Sequence, residues 1–260
     1  MKLRKLALAD LGGENLPIPQ PEIDSIRFLP YTMGRERELG DVRHKNPSWS
    51  FFQYMTEVLI HMAELGSDWQ TLSKEERRGR VNRLWFPNAI YIYTLLRIDA
   101  LGPEGTIPVI CPVCRNQWDF TYNLNESPVA VVEDPDDISW TVDLLDGFQW
   151  GDRRIESLTL KVPQWQAVAG IRRVANEVTL EMELLRSYIV PPEKYGPPTL
   201  QVLENITRKD MLIIARSMEE HTVGIDFSVH TTCPADGVPI DVTIDWGVDS
   251  FFGNSFRSTR

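Results

Sequence analysis

Apolar residues recur at spacings of three and four along one stretch of the chain. Phe51, Phe52, Met55, Val58, Leu59, Met62 and Leu65 fall on one helical face, and Gly66 ends the run. Ser73-Lys74-Glu75-Glu76 then has the form of a capping box, and the helix it opens turns Val81, Leu84 and Trp85 inward. Pro87 suits the first turn of a third helix over 88–100, which Gly102 closes. Beyond it the period changes to two. Val109-Ile110 enters Cys111-Pro112-Val113-Cys114, after which Trp118, Phe120, Tyr122 and Leu124 alternate. Far downstream Thr231-Thr232 enters Cys233-Pro234-Ala235-Asp236-Gly237, and Ile240, Val242, Ile244 and Trp246 alternate after it. Each reads as a β-hairpin built on a Cys-Pro turn.

Between the hairpins, residues 138–145 read as a strand, with Leu145-Asp146-Gly147 turning into Phe148-Gln149-Trp150. Residues 158–162 read as another strand. Pro163 opens a helix to about Asn176, and residues 177–189 form a helix with Leu180, Leu184, Leu185 and Tyr188 on its apolar face. Pro191, Pro192, Pro197 and Pro198 break the chain before a last helix from Thr207 and Asp210. That helix is expected to turn Met211, Leu212, Ile213, Ala215 and Met218 inward.

Before residue 47 no periodic pattern survives. Leu16-Pro17-Ile18-Pro19-Gln20-Pro21 is polyproline-like, Ile26–Pro30 is a possible short strand, and 35–45 carries mixed charge with no apolar stripe. The expectation is an α+β fold in four parts: an extended N-terminal arm over 1–46 that depends on a neighbour for its order, a helical block with the first hairpin over 47–125, an inserted mixed α/β subdomain over 126–229, and the second hairpin with a C-terminal tail over 230–260. A long insertion between paired hairpins is tolerated because closure entropy grows slowly with loop length.

The two turns also carry the chemistry. Facing Cys-Pro hairpins make a zinc ribbon, in which each turn supplies two ligands to one tetrahedral ion. The ligand set is then Cys111, Cys114, Cys233 and Asp236, the last standing where a fourth Cys is expected. Carboxylate oxygen is a permitted, harder donor. His230 is the rival fourth ligand, but three residues before Cys233 on an extended strand it points to the opposite face. The alternative is that the paired hairpins persist without metal, with Cys111 and Cys233 packed as apolar side chains. His61 and Glu64 lie close on the first helix at no recognised metal spacing and read as a solvated edge.

Composition narrows the function. Three Cys, two of them in one turn, do not make a disulfide scaffold and suggest reduced thiols in a cytosolic setting. No apolar run approaches the ~20 residues of a membrane span, and charges break the faint signal-like pattern at the N-terminus before Asp10. The net charge is −10, and from Glu126 to Glu156 nine acidic residues face two Arg. Such a field argues against direct nucleic-acid binding. There is no phosphate-binding Gly loop, no dinucleotide turn, no HExxH helix, no nucleophile elbow and no deaminase HxE segment, so neither an enzyme nor a small-molecule substrate is expected.

The run Leu84-Trp85-Phe86-Pro87-Asn88, then Tyr93 through Gly102, then Val109 through Cys114, resembles the small baseplate hub proteins of contractile-tailed bacteriophages of the T-even kind. In that family a helix ending in Arg-x-x-x-Leu/Phe-Gly leads into a Cys-Pro-x-Cys hairpin, here Arg97 to Gly102 and Cys111 to Cys114. The early Arg27 to Thr32 and the closing Phe251-Phe252-Gly253 resemble it too. The resemblance runs through most of the chain in order, as scattered short motifs. It implies a structural protein of the virion tail, made in the host cytoplasm and working at the baseplate hub against other tail and baseplate proteins. Family members are either hub components or assembly chaperones. The reading from another class is a zinc-ribbon nucleic-acid adaptor, which lacks the basic stripe it would need.

Overall fold

The computed structural model describes residues 3–11, 15–171 and 177–244. Trp246, the Phe251-Phe252-Gly253 motif, the rest of the C-terminal tail and 172–176 lie outside them, and the helix expected from Pro163 to about Asn176 is formed only over Trp165–Ala169 before residue 172. Among the described residues the protein is mixed α+β, with helices and small antiparallel sheets.

The N-terminal segment departs most from expectation. It starts as strand β1 (Leu3–Ala7), which pairs antiparallel with β6 (Pro128–Val132). Helix α1 (Leu8–Leu11) follows, with Leu8 and Leu11 buried. Strand β2 (Ile26–Phe28) pairs with β3 (Ala63–Leu65), and the stretch read as an extended, charged arm forms helix α2 (Met33–Lys45). Thr32 caps α2, and Arg43, His44 and Lys45 in its last turn suit the helix dipole. Only Leu39 of α2 is buried, so no apolar stripe could announce it. The prolines do make an extended path, but it is pinned. Ile18 donates its N–H to Asn88 Oδ1 (2.9 Å), and Asn88 Nδ2 returns a bond to Ile18 O (2.8 Å). Ile18 and Ile23 are buried. The segment is thus woven into the fold, which corrects the reading of 1–46 as an arm without order of its own.

The helical block then follows the apolar pattern. Ser50 and Gln53 form a capping box on α3 (Phe51–Met62), and Ser73 and Glu76 form the expected one on α4 (Lys74–Arg83). Trp85 is the N-cap of α5 (Phe86–Leu101), with Pro87 in its first turn and Gly102 at φ 83 closing it. Helix α5 is apolar almost all round and is accordingly buried from Pro87 to Thr94. It packs with α3, α1 and β6 in the first hydrophobic core. His61 on α3 lies 3.7 Å from the buried Glu57 carboxylate, which Arg78 also pairs, while Glu64 bonds Gln70 instead.

A second core lies under the long hairpin of β7 (Ser139–Trp150) and β8 (Arg153–Lys161). Against its inner face, which carries Trp140, Val142, Phe148, Trp150, Leu158 and Leu160, pack residues from α7 (Glu177–Tyr188), α8 (Leu200–Leu203) and α9 (Arg208–Glu220). Helix α6 (Trp165–Ala169) sends Trp165 back to the first core, where its Nε1 donates to Thr56 Oγ1 at 2.8 Å. The stretch 126–229 therefore contributes to both cores, and Ile18 crosses to the second. On α9, Ile214 is the buried apolar residue; Met211, Ile213 and Met218 pack half-buried against the second core as expected, while Leu212 and Ala215 face solvent instead.

The turn expected at Leu145–Gly147 is a bulge within β7, where the register shifts between Asp143 and Phe148. Asp210, fully buried in the first turn of α9, holds it: its carboxylate accepts from the N–H groups of Leu145 (2.7 Å), Asp146 (3.3 Å) and Gly147 (3.0 Å). Asp210→Ala would leave these three donors without their acceptor. We expect a loss on the order of 3 kcal/mol, read as a lower denaturant midpoint at unchanged m-value, with Asp210→Asn intermediate.

Candidate metal centre

Two further hairpins are present among the described residues: β4 (Glu104–Ile110) with β5 (Gln117–Asn123), and β10 (Ser228–Thr232) with β11 (Pro239–Thr243). A two-residue strand, β9 (Gly224–Ile225), pairs with β6 just before β10. Trp118, Phe120 and Tyr122 on β5, and Ile240 and Val242 on β11, are half-buried and, Asn123 apart, their neighbours are exposed, as the period of two requires. Each hairpin is rooted in the first core. Leu124 and Tyr122 anchor one, and Gly105 leaves room for the Tyr122 ring, which a β-carbon there would meet at 2.3 Å. Phe227, Val229 and Ile244 anchor the other, with Ile244 N–H donating to Phe227 O at 2.9 Å. Arg97, buried near the end of α5, donates to the carbonyls of Gly102 and Glu104 and so fixes the joint between that helix and β4.

The two turns repeat one backbone design. Cys111 donates its N–H to Asn116 O and accepts from Arg115 N–H, at 2.9 and 3.1 Å. Cys233 donates to Val238 O and accepts from Gly237 N–H, both at 2.9 Å. Position five of each turn is left-handed, with φ 63 at Arg115 and φ 72 at Gly237. Gly237 takes that conformation without strain, whereas Arg115 is the only non-glycine residue at positive φ among those described. Position four is Cys114 in one turn and Asp236 in the other, so the carboxylate replaces the thiol on an equivalent frame.

The turns bring the four sequence-nominated side chains together. Cys114 Sγ and Cys233 Sγ are 3.6 Å apart, Cys111 Sγ is 3.5 Å from Asp236 Oδ2, and one ligand atom from each residue lies within 4.8 Å of all the others. A tetrahedral ion with bonds of ~2.3 Å to sulfur needs ligand atoms ~3.8 Å apart. Spacing, donor number and donor type therefore fit one metal ion with four protein ligands. Cys111 and Cys233 are buried, and Cys114 is exposed. His230 stands elsewhere: it is exposed on β10, and its Nδ1 lies 2.6 Å from Asp241 Oδ1 on β11.

The electrostatics set the protonation of the donors. The Cys233 thiol first, then the Val238 N–H and the other two thiols, hold the Asp236 carboxyl down at about 2. Val238 N–H donates to Asp236 Oδ1 at 3.1 Å, which leaves Oδ2 free to face the sulfurs. At Cys114 the Asn116 N–H favours thiolate, but burial and the hydrogen bonds shared with Asp236, Cys111 and Cys233 outweigh it and push the thiol up to about 12. At Cys111 burial acts upward, yet the N–H groups of Cys114 and Val113 bring the thiol below its usual value. The cluster thus retains a proton that a divalent cation would displace. These amide donors were not identifiable from residue types; the repeated turn frame was their only signal.

We expect Asp236→Ala to weaken metal binding at least tenfold and His230→Ala to leave it unchanged, as read by competition with a chromogenic chelator. The chain matches no protein-family model, no curated protein and no solved structure with which it was compared.

Proposed function

We propose that this chain is a structural component of a bacteriophage tail baseplate, placed in the hub region and acting through contacts with other tail and baseplate proteins. Its metal is zinc, held structurally in a ribbon formed by the two Cys-Pro hairpins. The observation that carries the reading is the closed donor set: Cys111, Cys114, Cys233 and Asp236 satisfy a tetrahedral ion with protein atoms alone, so no position remains for a substrate or an activated water. A clamp of this kind suits a protein whose work is contact rather than catalysis.

The tail assignment rests on the ordered run of motifs, and their places in the fold support it. Trp85 to Asn88 opens the buried α5, Arg97 and Gly102 form its joint with β4, and Cys111 to Cys114 is the first metal turn. The acidic balance and the thiol-rich cluster fit a protein made in the reducing host cytoplasm, with no nucleic acid to bind. The test is co-expression with the tail proteins of its phage, followed by affinity capture and localisation in images of intact tails. Capture of tail proteins and density at the hub are expected. Recovery with hub intermediates but not with finished tails would assign it as an assembly chaperone. Capture of nucleic acid alone would overturn the reading.

A further inference from the structure

Cys114 and Cys233 belong to different hairpins, 119 residues apart in the chain, and their sulfurs are 3.6 Å apart. Resting on the zinc reading above, we propose that this pair is a site of reversible oxidation, at which peroxide converts the metal clamp into a disulfide clamp and expels the ion. Cys114 is the exposed member of the cluster and the one a solvent oxidant meets first. Held as a thiolate by the ion, Cys114 would attack one peroxide oxygen, the O–O bond breaking, and would become a sulfenic acid as hydroxide leaves. The Cys233 thiolate then attacks the Cys114 sulfur. The S–O bond breaks, the S–S bond forms and a second hydroxide leaves. The two thiolates give up two electrons, hydrogen peroxide accepts them, and two protons from solvent complete two waters.

Geometry selects the partner. A disulfide bond is ~2.0 Å long, so the two sulfurs must close by roughly 1.5 Å. Cys111 is turned toward the carboxylate, with Asp236 Oδ2 at 3.5 Å. Once Cys114 and Cys233 are joined, only Cys111 and Asp236 remain as donors, too few for a closed tetrahedral site. Asp236, a harder donor than thiolate, also makes the ion easier to lose than four Cys would. The cross-hairpin link differs in consequence from a Cys111–Cys114 link within one turn. It keeps the hairpins together after the ion has gone, so the cluster clamps them in both reducing and oxidising surroundings.

The test uses the full chain. Metal content is measured first, which settles the zinc reading independently, and the chain is then titrated with hydrogen peroxide whatever that result. We expect one Cys114–Cys233 link per chain by peptide mapping, Cys111 still open to alkylation, and one zinc released per link. A thiol reductant with added zinc should reverse all three. A Cys111–Cys114 link, over-oxidised Cys114 without any link, or zinc retained in the linked chain would each overturn the proposal.

Discussion

A chain lacking residues 1–46 is expected to be recovered as insoluble, unfolded material. The deleted segment buries Leu8, Leu11, Ile18, Ile23 and Leu39 in the two cores. At roughly 1.5–3 kcal/mol for each fully buried aliphatic side chain, its loss removes on the order of 10 kcal/mol, comparable with the whole net stability of an ordinary domain. Removing β1 also bares the edge of β6, whose Val129 to Val132 are all buried in the intact protein. An uncovered apolar strand edge of this kind templates aggregation. The same deletion leaves Asn88, which is fully buried, without the Ile18 backbone and the Gln20 side chain that its amide bonds. Far-UV circular dichroism and gel filtration of the truncated chain decide the matter. A soluble, cooperatively folding product would show that these contacts decorate the core rather than build it, and would return the segment to the role of a docking arm.

That segment also marks where sequence reading failed and why. The helix α3 was legible from the three-four spacing of its apolar residues and α5 from Pro87 and Gly102 at its ends, and the hairpins because their alternation and their Cys-Pro turns coincide. The turns alone named Cys111, Cys114, Cys233 and Asp236, and the fold brings those four together. The described residues among 3–45 are buried aperiodically: Leu8, Leu11 and Ile23 enter the first core and Ile18 the second, both built mostly from residues elsewhere in the chain. The information that orders them lies in β6 and in Asn88, 70 residues from Ile18, where no local pattern can express it. Helix α2 escaped for another reason. A helix that buries a single Leu has no moment to detect, and its signals are the Thr32 cap and the basic last turn. Asp210 was visible as a residue at the start of α9, but its task is set by the bulge 65 residues upstream. Buried acids are rare enough that only the three amides it satisfies account for it.

Stripping the ion with a strong chelator should lower stability by about 3–5 kcal/mol, and Cys233→Ser should produce the same drop. An ion held by the cluster would link Cys114 to Cys233 across 119 residues, and among the described residues no strand of one hairpin pairs with a strand of the other. Closing a loop of that length with a covalent bridge is worth ~5 kcal/mol of chain entropy by the disulfide relation, and a four-ligand metal bridge acts on the same ensemble. The two cores already hold the hairpin roots close, through Tyr122 and Leu124 on one side and Phe227 and Ile244 on the other, which trims the gain. For a chain of this size a melting temperature lower by roughly 10 °C follows. The decisive measurement is the combination. If both perturbations act through one ion, the chelator adds nothing to the variant, whereas independent sites would add. A wild-type melting curve that ignores the chelator, beside a variant that still falls, would mean that Cys233 contributes as a buried apolar side chain and that the cluster stabilises the fold without metal.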